Sequence, residues 1–213
     1  QFQWECGEDI QFTLKQEGWG LTLHRVCAPV LSVLEHLRQT VGVAALHSQE
    51  ETGVLWTFDR DKEVAKWCQA HGVPWHEVPQ LGVQRGRTSR AGWVEAWHVN
   101  MAQPWANPDL KGWRASEGRA AEVSWPEDWP ALEPPAVTHD DDLLGEGPFQ
   151  PGGERAGQAY LKGFLKEGRI HTYQKHISKP ELSRRSCSRI SPYLAWGAMT
   201  IRQVYQALES TVQ

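Results

Sequence analysis

The stretch from Cys187 to Gly197 reads CSRISPYLAWG, and it decides how the carboxyl-terminal part of the chain is interpreted. Ser191 followed by Pro192 is typical of a helix start. A serine hydroxyl can accept from the free amides of a first turn, and proline there gives up only an amide that has no partner. We therefore predict a helix that begins at Ser191.

The residues around this predicted helix start favour the binding of an anion. Ser188 and Ser191 would place two hydroxyls beside the positive end of the helix, and Arg189 adds a cation. These three residues predict a site for a phosphate or pyrophosphate group. The alternative, on the residues alone, is an ordinary capped helix with a solvated arginine.

This stretch resembles the flavin-binding domain of the DNA photolyase and cryptochrome family. The family's phosphate-binding motif runs Thr/Cys-Ser-Arg/Lys-Leu-Ser-Pro-Tyr-Leu, then two residues and Gly. Residues 152–165 resemble the opening helix of that domain, and Tyr173 falls where the family places a tyrosine against the flavin phosphates. The resemblance covers residues 152–213 and implies noncovalent FAD binding, with Cys187 and Ile190 contributing backbone or apolar contact. The implied FAD-binding residues are Tyr173, Cys187, Ser188, Arg189, Ile190 and Ser191.

A looser resemblance covers residues 22–101. The segments HSQEETG at 47–53, WTFDRD at 56–61 and WHEVPQ at 75–80 look like the later half of the family's antenna domain. This implies a second, antenna chromophore of unspecified identity, and Glu51 lies near where some members contact a folate.

Hydrophobic patterning indicates alternating strands and helices in the same region. Residues 21–26, 43–47 and 73–78 predict strands that pair in parallel, and residues 29–41 and 57–72 predict the helices between them. A further helix is predicted from Ser89 to about Met101. The predicted fold class is an α/β doubly wound parallel-sheet domain, incomplete at its N-terminus, followed by a linker and the start of an all-α FAD-binding domain.

We predict three regions: a partial antenna domain at 1–102, a linker at 103–151 and the start of the helical domain at 152–213. The linker is rich in Pro, Gly, Asp and Glu, and we expect its tryptophans to lie across a surface. In the third region we predict helices at 153–167 and 191–198 and a basic loop between them. Another helix starts at Thr200, where the spacing to Gln203 predicts a capping box.

The resemblance implies that the intact protein is a light-driven DNA photolyase, a carbon–carbon lyase that repairs pyrimidine dimers by photoinduced electron transfer. Its partner would be damaged DNA, which the basic residues of 169–185 could meet. Most of the flavin pocket would lie beyond Gln213, so we expect these residues alone to include no catalytic residue, to be inactive and to retain flavin weakly. One alternative is a cryptochrome-like blue-light photoreceptor with a signalling partner; another is a nonenzymatic α/β nucleotide-binding module.

Net charge, cysteine spacing and the length of apolar runs narrow the classes of protein to which the chain can belong. The formal net charge of −4 disfavours a protein that coats nucleic acid nonspecifically. The four cysteines have no zinc-ligand or disulfide spacing, so we expect no metal site. The sequence contains no apolar run of membrane-spanning length, so we expect an intracellular protein, by default cytoplasmic, with no membrane partner. Because the chain is interpreted as a fragment, the intact protein could also have an N-terminal targeting segment.

Overall fold

The computed structural model describes residues 1–18, 21–79, 82–105, 123–133 and 149–212. These residues fall into two compact units. The sheet unit contains 21–79, 82–100 and 123–133. The helical unit contains 1–18, 101–105 and 149–212. The predicted boundaries at 1–102, 103–151 and 152–213 stay a prediction.

The described elements follow one another along the chain. The strands are β1 Leu46–Gln49 and β2 Trp75–Val78. The first α-helices are α1 Phe2–Gln16, α2 Val30–Thr40, α3 Leu55–His71, α4 Trp93–Ala102 and α5 Glu154–Lys166. They are followed by a 3₁₀ helix Arg169–Thr172, α6 Tyr173–His176, α7 Pro180–Ser186, α8 Ser191–Ala195 and α9 Ile201–Val212.

In the sheet unit, β1 and β2 pair in parallel, with Leu46 opposite Trp75 and Gln49 opposite Val78. Burial alternates along both strands, so one face of the sheet packs inward and the other is exposed. The inward face joins a core whose buried members are Leu34, Val64, Cys68 and Val73. Helix α3 ends where the sequence predicts, because Gly72 takes the left-handed conformation (φ 65°) that closes a helix.

The strand predictions need correction. Residues 21–26 are not in a strand, although their side chains alternate as in one. Alternation alone does not create a strand, since the backbone needs a paired neighbour. The segment predicted at 43–47 overlaps only the first two residues of β1, whereas the segment predicted at 73–78 contains β2. The predicted parallel pairing of these two strands is present. A sheet of two described strands does not establish a doubly wound domain, so that fold class stays a prediction.

Helix α4 begins at Trp93 rather than at Ser89. The Ser89 hydroxyl accepts from the Ala91 amide at 3.2 Å, and the Ser89 carbonyl accepts from Arg87 Nε at 2.5 Å. These bonds hold the residues before the helix in a turn, which delays the helix by one turn.

The helical unit packs around Tyr193, whose side chain is fully buried. Close approach shapes this core: a Cβ on Gly157 would lie 2.5 Å from Met199 Sδ, so only glycine fits there without a shift. The buried members of the core are Ala156, Tyr160, Leu161, Ile190, Tyr193, Met199 and Val204.

Helix α1 supplies acceptors to the start of α5, a contact that the sequence did not predict. The Gly152 amide donates to Glu5 Oε2 at 2.6 Å, and the Gly153 amide donates to Cys6 Sγ at 3.1 Å. A Cβ on Gly152 would lie 2.2 Å from the Phe2 carbonyl oxygen. The two glycines therefore allow α1 to approach closely and to satisfy amides that a helix start leaves free.

The predicted helices at 153–167 and from Thr200 are present as α5 and α9, whereas the structure between them differs from the prediction. The predicted basic loop is instead folded into the 3₁₀ helix, α6 and α7, and α8 is shorter than predicted. The capping box of α9 is confirmed: the Gln203 amide donates to Thr200 Oγ1 at 3.2 Å, and the Thr200 amide donates to Gln203 Oε1 at 2.7 Å.

Much of the predicted linker lies outside the described residues. In its described part, the rings of Trp125 and Trp129 stack with centroids 5.9 Å apart. Both rings also contact the ring of His36 on α2, at 5.5 and 5.6 Å. These two tryptophans therefore lie against α2 at His36, and the assignment of 103–151 as a linker stays a prediction.

Candidate phosphate site

Helix α8 begins at Ser191, but Ser191 does not cap it. The structure places the N-cap at Ile190, and no side chain caps the helix. The predicted capping bond of the Ser191 hydroxyl is therefore wrong. Ser191 is exposed, and neither its hydroxyl nor that of Ser188 has a hydrogen-bond partner among the described residues. Both remain available to a ligand.

Arg189 has the most unusual backbone of the segment 187–191. Its φ is +57°, the left-handed region, which among the described non-glycine residues is adopted here alone. Such a conformation costs a non-glycine residue about 1–2 kcal/mol and persists only where its surroundings impose it. The turn at Arg189 lies between Ser188 and the helix start at Ser191, and it sets the direction of the backbone that joins the two residues.

Three contacts hold this turn. The Gln150 side-chain amide donates to the Arg189 carbonyl at 2.7 Å, and Arg169 Nη1 donates to the Cys187 carbonyl at 3.3 Å. The Arg189 guanidinium lies over the ring of Tyr160, 5.6 Å from its centroid. The segment 187–191 is thus braced by residues before it in the chain, none of which the sequence pattern assigned to the phosphate site.

Tyr193 anchors the other side of the segment. Its hydroxyl donates to the Pro151 carbonyl at 2.7 Å, and its ring packs against Tyr160 at 5.9 Å. Burial raises the pKa of the Tyr193 hydroxyl well above its usual value, so it stays protonated and keeps donating. Ile190, predicted to contribute apolar contact, points into the same core.

Tyr173 lies at the start of α6, and its ring meets Phe164 edge to face at 6.0 Å. Phe164 also lies 6.0 Å from the Arg169 guanidinium, which bonds the Cys187 carbonyl. The structure therefore connects Tyr173 to the segment 187–191 through Phe164 and Arg169. No hydrogen bond joins its hydroxyl to another described residue.

Cationic side chains lie on or next to the 3₁₀ helix, α6 and α7. Lys175, Lys179 and Arg185 are exposed. Arg169 is more enclosed and contacts Glu167 Oε2 at 3.1 Å. The 3₁₀ helix, α6 and α7 thus present positive charge on the helical unit, a feature that the sequence composition already indicated.

A concave surface lies in the sheet unit, where the chain leaves β1 and β2. It is an open groove of about 830 Å³, and α3 begins in it. Arg85 crosses it, donating to the Glu51 carbonyl and to Glu77 Oε1, both at 3.1 Å. Gly53 donates its amide to Glu51 Oε1, and this bond lowers the pKa of the Glu51 carboxyl. The lining includes Glu50, Glu51, Val54, Phe58, Val83 and Arg85.

The described ranges contain no cluster of three or more potential metal ligands. Within them, no helix is both long enough and apolar enough to cross a bilayer.

Comparison with known proteins adds no assignment: no protein-family model matches the chain, and no curated protein sequence matches it.

Proposed function

We propose that this chain is part of a FAD-dependent, light-driven DNA photolyase, in which residues 187–191 bind the flavin phosphates. One observation carries the proposal. Ser191 begins a helix but does not cap it, while Ser188 is likewise without a hydrogen-bond partner among the described residues. Because Ser191 lies at the first helical position rather than at the N-cap, the helix does not use its hydroxyl, which can therefore bond a ligand.

The donor set fits a pyrophosphate. Two hydroxyls and a guanidinium are available, and the first amides of any helix lack an acceptor inside that helix. The left-handed turn at Arg189 is the kind of backbone strain that a folded protein maintains at ligand sites. Ile190 would contribute its backbone amide and Cys187 apolar contact, because the Cys187 amide already donates to the Ser183 carbonyl at 2.9 Å. Tyr173 would lie beside the phosphates.

The residues of this chain would bind and orient the cofactor rather than react with the lesion. Bound reduced FAD would supply the photoexcited electron that splits a pyrimidine dimer. Exposed Lys175, Lys179 and Arg185 would meet the phosphates of the damaged DNA. Binding to such a surface would weaken steeply with added salt, since neutralised phosphates release counterions.

The groove of the sheet unit is our candidate site for a second, antenna chromophore. Ligands of open parallel sheets bind beyond the carboxyl ends of the strands, which is where this groove lies. Its volume of about 830 Å³ suits a small aromatic molecule. Loss of a bound chromophore's absorption in Val54→Asp, with FAD retained, would support this site; unchanged absorption would contradict it.

The test of the phosphate site is a titration of the chain with FAD, followed by the amide resonances of residues 187–193 other than Pro192. We expect these amides to shift even if binding is weak, and the double variant Ser188→Ala, Ser191→Ala to abolish the shifts. Ser186→Ala is the matched control, because its hydroxyl already bonds the Leu182 carbonyl at 2.8 Å. Unperturbed amides in 187–193 at millimolar FAD would contradict the proposal.

Repair itself is tested in the intact flavoprotein. We expect light-dependent reversal of pyrimidine dimers in duplex DNA that stops when FAD is removed. FAD binding without any dimer reversal would instead indicate the cryptochrome-like photoreceptor.

A further inference from the structure

The exposed face of the two-stranded sheet carries a pair of histidines. His47 on β1 lies directly opposite His76 on β2 in the parallel register. Both side chains are exposed, and their rings stack with centroids 4.8 Å apart at an interplanar angle of 24°. No hydrogen bond joins either ring to another described residue. Four ring nitrogens are therefore close together, accessible and free of protein partners in the described part of the chain.

We propose that His47 and His76 together bind a divalent transition-metal ion. Imidazole nitrogen is a preferred ligand of copper, nickel and zinc, whereas calcium and magnesium take oxygen ligands. Imidazole nitrogens lie about 2.0–2.1 Å from a bound zinc ion, so two of them on one ion lie within about 4 Å of each other. The ring centroids are 4.8 Å apart, so rotation of the two exposed side chains can bring one nitrogen of each ring to this separation.

The ligand count sets the character of the site. No third histidine, cysteine or carboxylate forms a metal-binding group with the pair in the described residues. Water must complete the coordination shell, which makes the ion exchangeable, unlike one in a closed structural site with four protein ligands. Among these metals, copper(II) should bind most tightly, because affinities of a given site generally follow the Irving–Williams order.

Binding has a structural consequence for the sheet unit. The two ligands lie on different strands, and the described ladder joins only four residue pairs. An ion held by both histidines links β1 to β2 and binds only where the strands are paired. Metal therefore stabilises the sheet unit by an amount that rises with the logarithm of the metal concentration once this exceeds the dissociation constant.

The test titrates the chain with CuSO₄ or ZnCl₂ while thermal unfolding is recorded. We expect both metals to raise the unfolding temperature of the sheet unit, copper at the lower concentration. In His47→Ala or His76→Ala the affinity should fall by at least about tenfold, because one imidazole alone remains. His98→Ala, which removes an exposed histidine of α4, is the control and should keep the full response.

A second measurement needs no variant. Copper(II) is paramagnetic, so substoichiometric copper should broaden the imidazole resonances of His47 and His76 before those of the other histidines. The proposal is overturned if other histidines broaden first. It is equally overturned if the metal-induced rise in unfolding temperature is absent, or survives unchanged in both His47→Ala and His76→Ala.

Discussion

The starts of α8 and α9 look alike in sequence and are built differently. At α9, Thr200 and Gln203 each accept a hydrogen bond from the other's backbone amide. At α8, the hydroxyl of Ser191 caps nothing, and the helix is instead held by the buried side chain of Tyr193. A hydroxyl that the fold uses is no longer available to a ligand, whereas one that the fold leaves unpaired can bind one.

The largest expected effect tests whether packing holds α8. Tyr193→Ala removes a fully buried ring and its hydrogen bond to the Pro151 carbonyl. Removing a large buried aromatic side chain costs about 3–5 kcal/mol of unfolding free energy. Chemical denaturation of the helical unit measures this. Trp196→Ala, at a side chain 58% exposed just after the same helix, should stay within about 0.5 kcal/mol. Equal losses in the two variants would contradict packing as the anchor.

The next effect concerns ligand binding rather than folding. Under the proposed function, the double variant Ser188→Ala, Ser191→Ala should weaken FAD binding by the intact protein by about 1.5–3 kcal/mol, or about ten- to a hundredfold, because the variant removes hydroxyls that would bond charged phosphates. Flavin fluorescence titration measures the dissociation constant. The unfolding free energy of the apoprotein should change by less than about 0.5 kcal/mol.

The same titration at two salt concentrations examines Arg189. Arg189→Ala should weaken FAD binding most at low salt, since a guanidinium that acts on phosphate through solvent is screened by ions.

An unchanged dissociation constant in the double serine variant would show that α8 offers no phosphate site and that the two helix starts do not differ in function.

A smaller effect sharpens the role of the left-handed turn. Arg189→Gly and Arg189→Ala both remove the guanidinium, but only glycine adopts φ +57° without strain. We expect the glycine variant to be the more stable by about 1 kcal/mol, measured by denaturant unfolding. If the alanine variant is equally stable, the turn is not held in the left-handed conformation by its surroundings.

The smallest effects compare the two helix starts directly. Thr200→Ala should cost about 1 kcal/mol of unfolding free energy, because it removes an acceptor that caps α9. Ser191→Ala alone should cost less than about 0.5 kcal/mol, because no capping bond is lost. Thermal unfolding of the two single variants under one buffer condition measures the difference. A larger loss at Ser191 than at Thr200 would reverse the comparison.

Local patterns predicted much of the helical structure because they act over one or two turns. Gly72 ends α3, and the Thr200–Gln203 spacing caps α9, as the sequence indicates. Pro192 and Ser191 correctly placed the start of α8. Residues 21–26 show the limit of such patterns, since their alternation could not reveal whether a neighbouring strand would pair with them.

The features of the candidate phosphate site likewise fall into those that the local sequence indicates and those that depend on the fold. Residue types and spacing selected Ser188, Arg189 and Ser191, because hydroxyls and a cation at a helix start suit an anion. The left-handed turn at Arg189 and its brace from Gln150 depend on contacts between segments distant in sequence. No local pattern encodes those contacts.

The sequence alone predicted the ends of several helices, the parallel pairing of β1 and β2, and the residue types that the segment 187–191 offers to a ligand. The folded chain was needed to show that α1 accepts hydrogen bonds from amides just before and within the first turn of α5, that Tyr193 rather than a serine holds α8, and that His47 faces His76. The physical reason is the range of the forces involved. Capping and helical spacing act between neighbours, whereas burial and strand register depend on which distant residues the chain brings together.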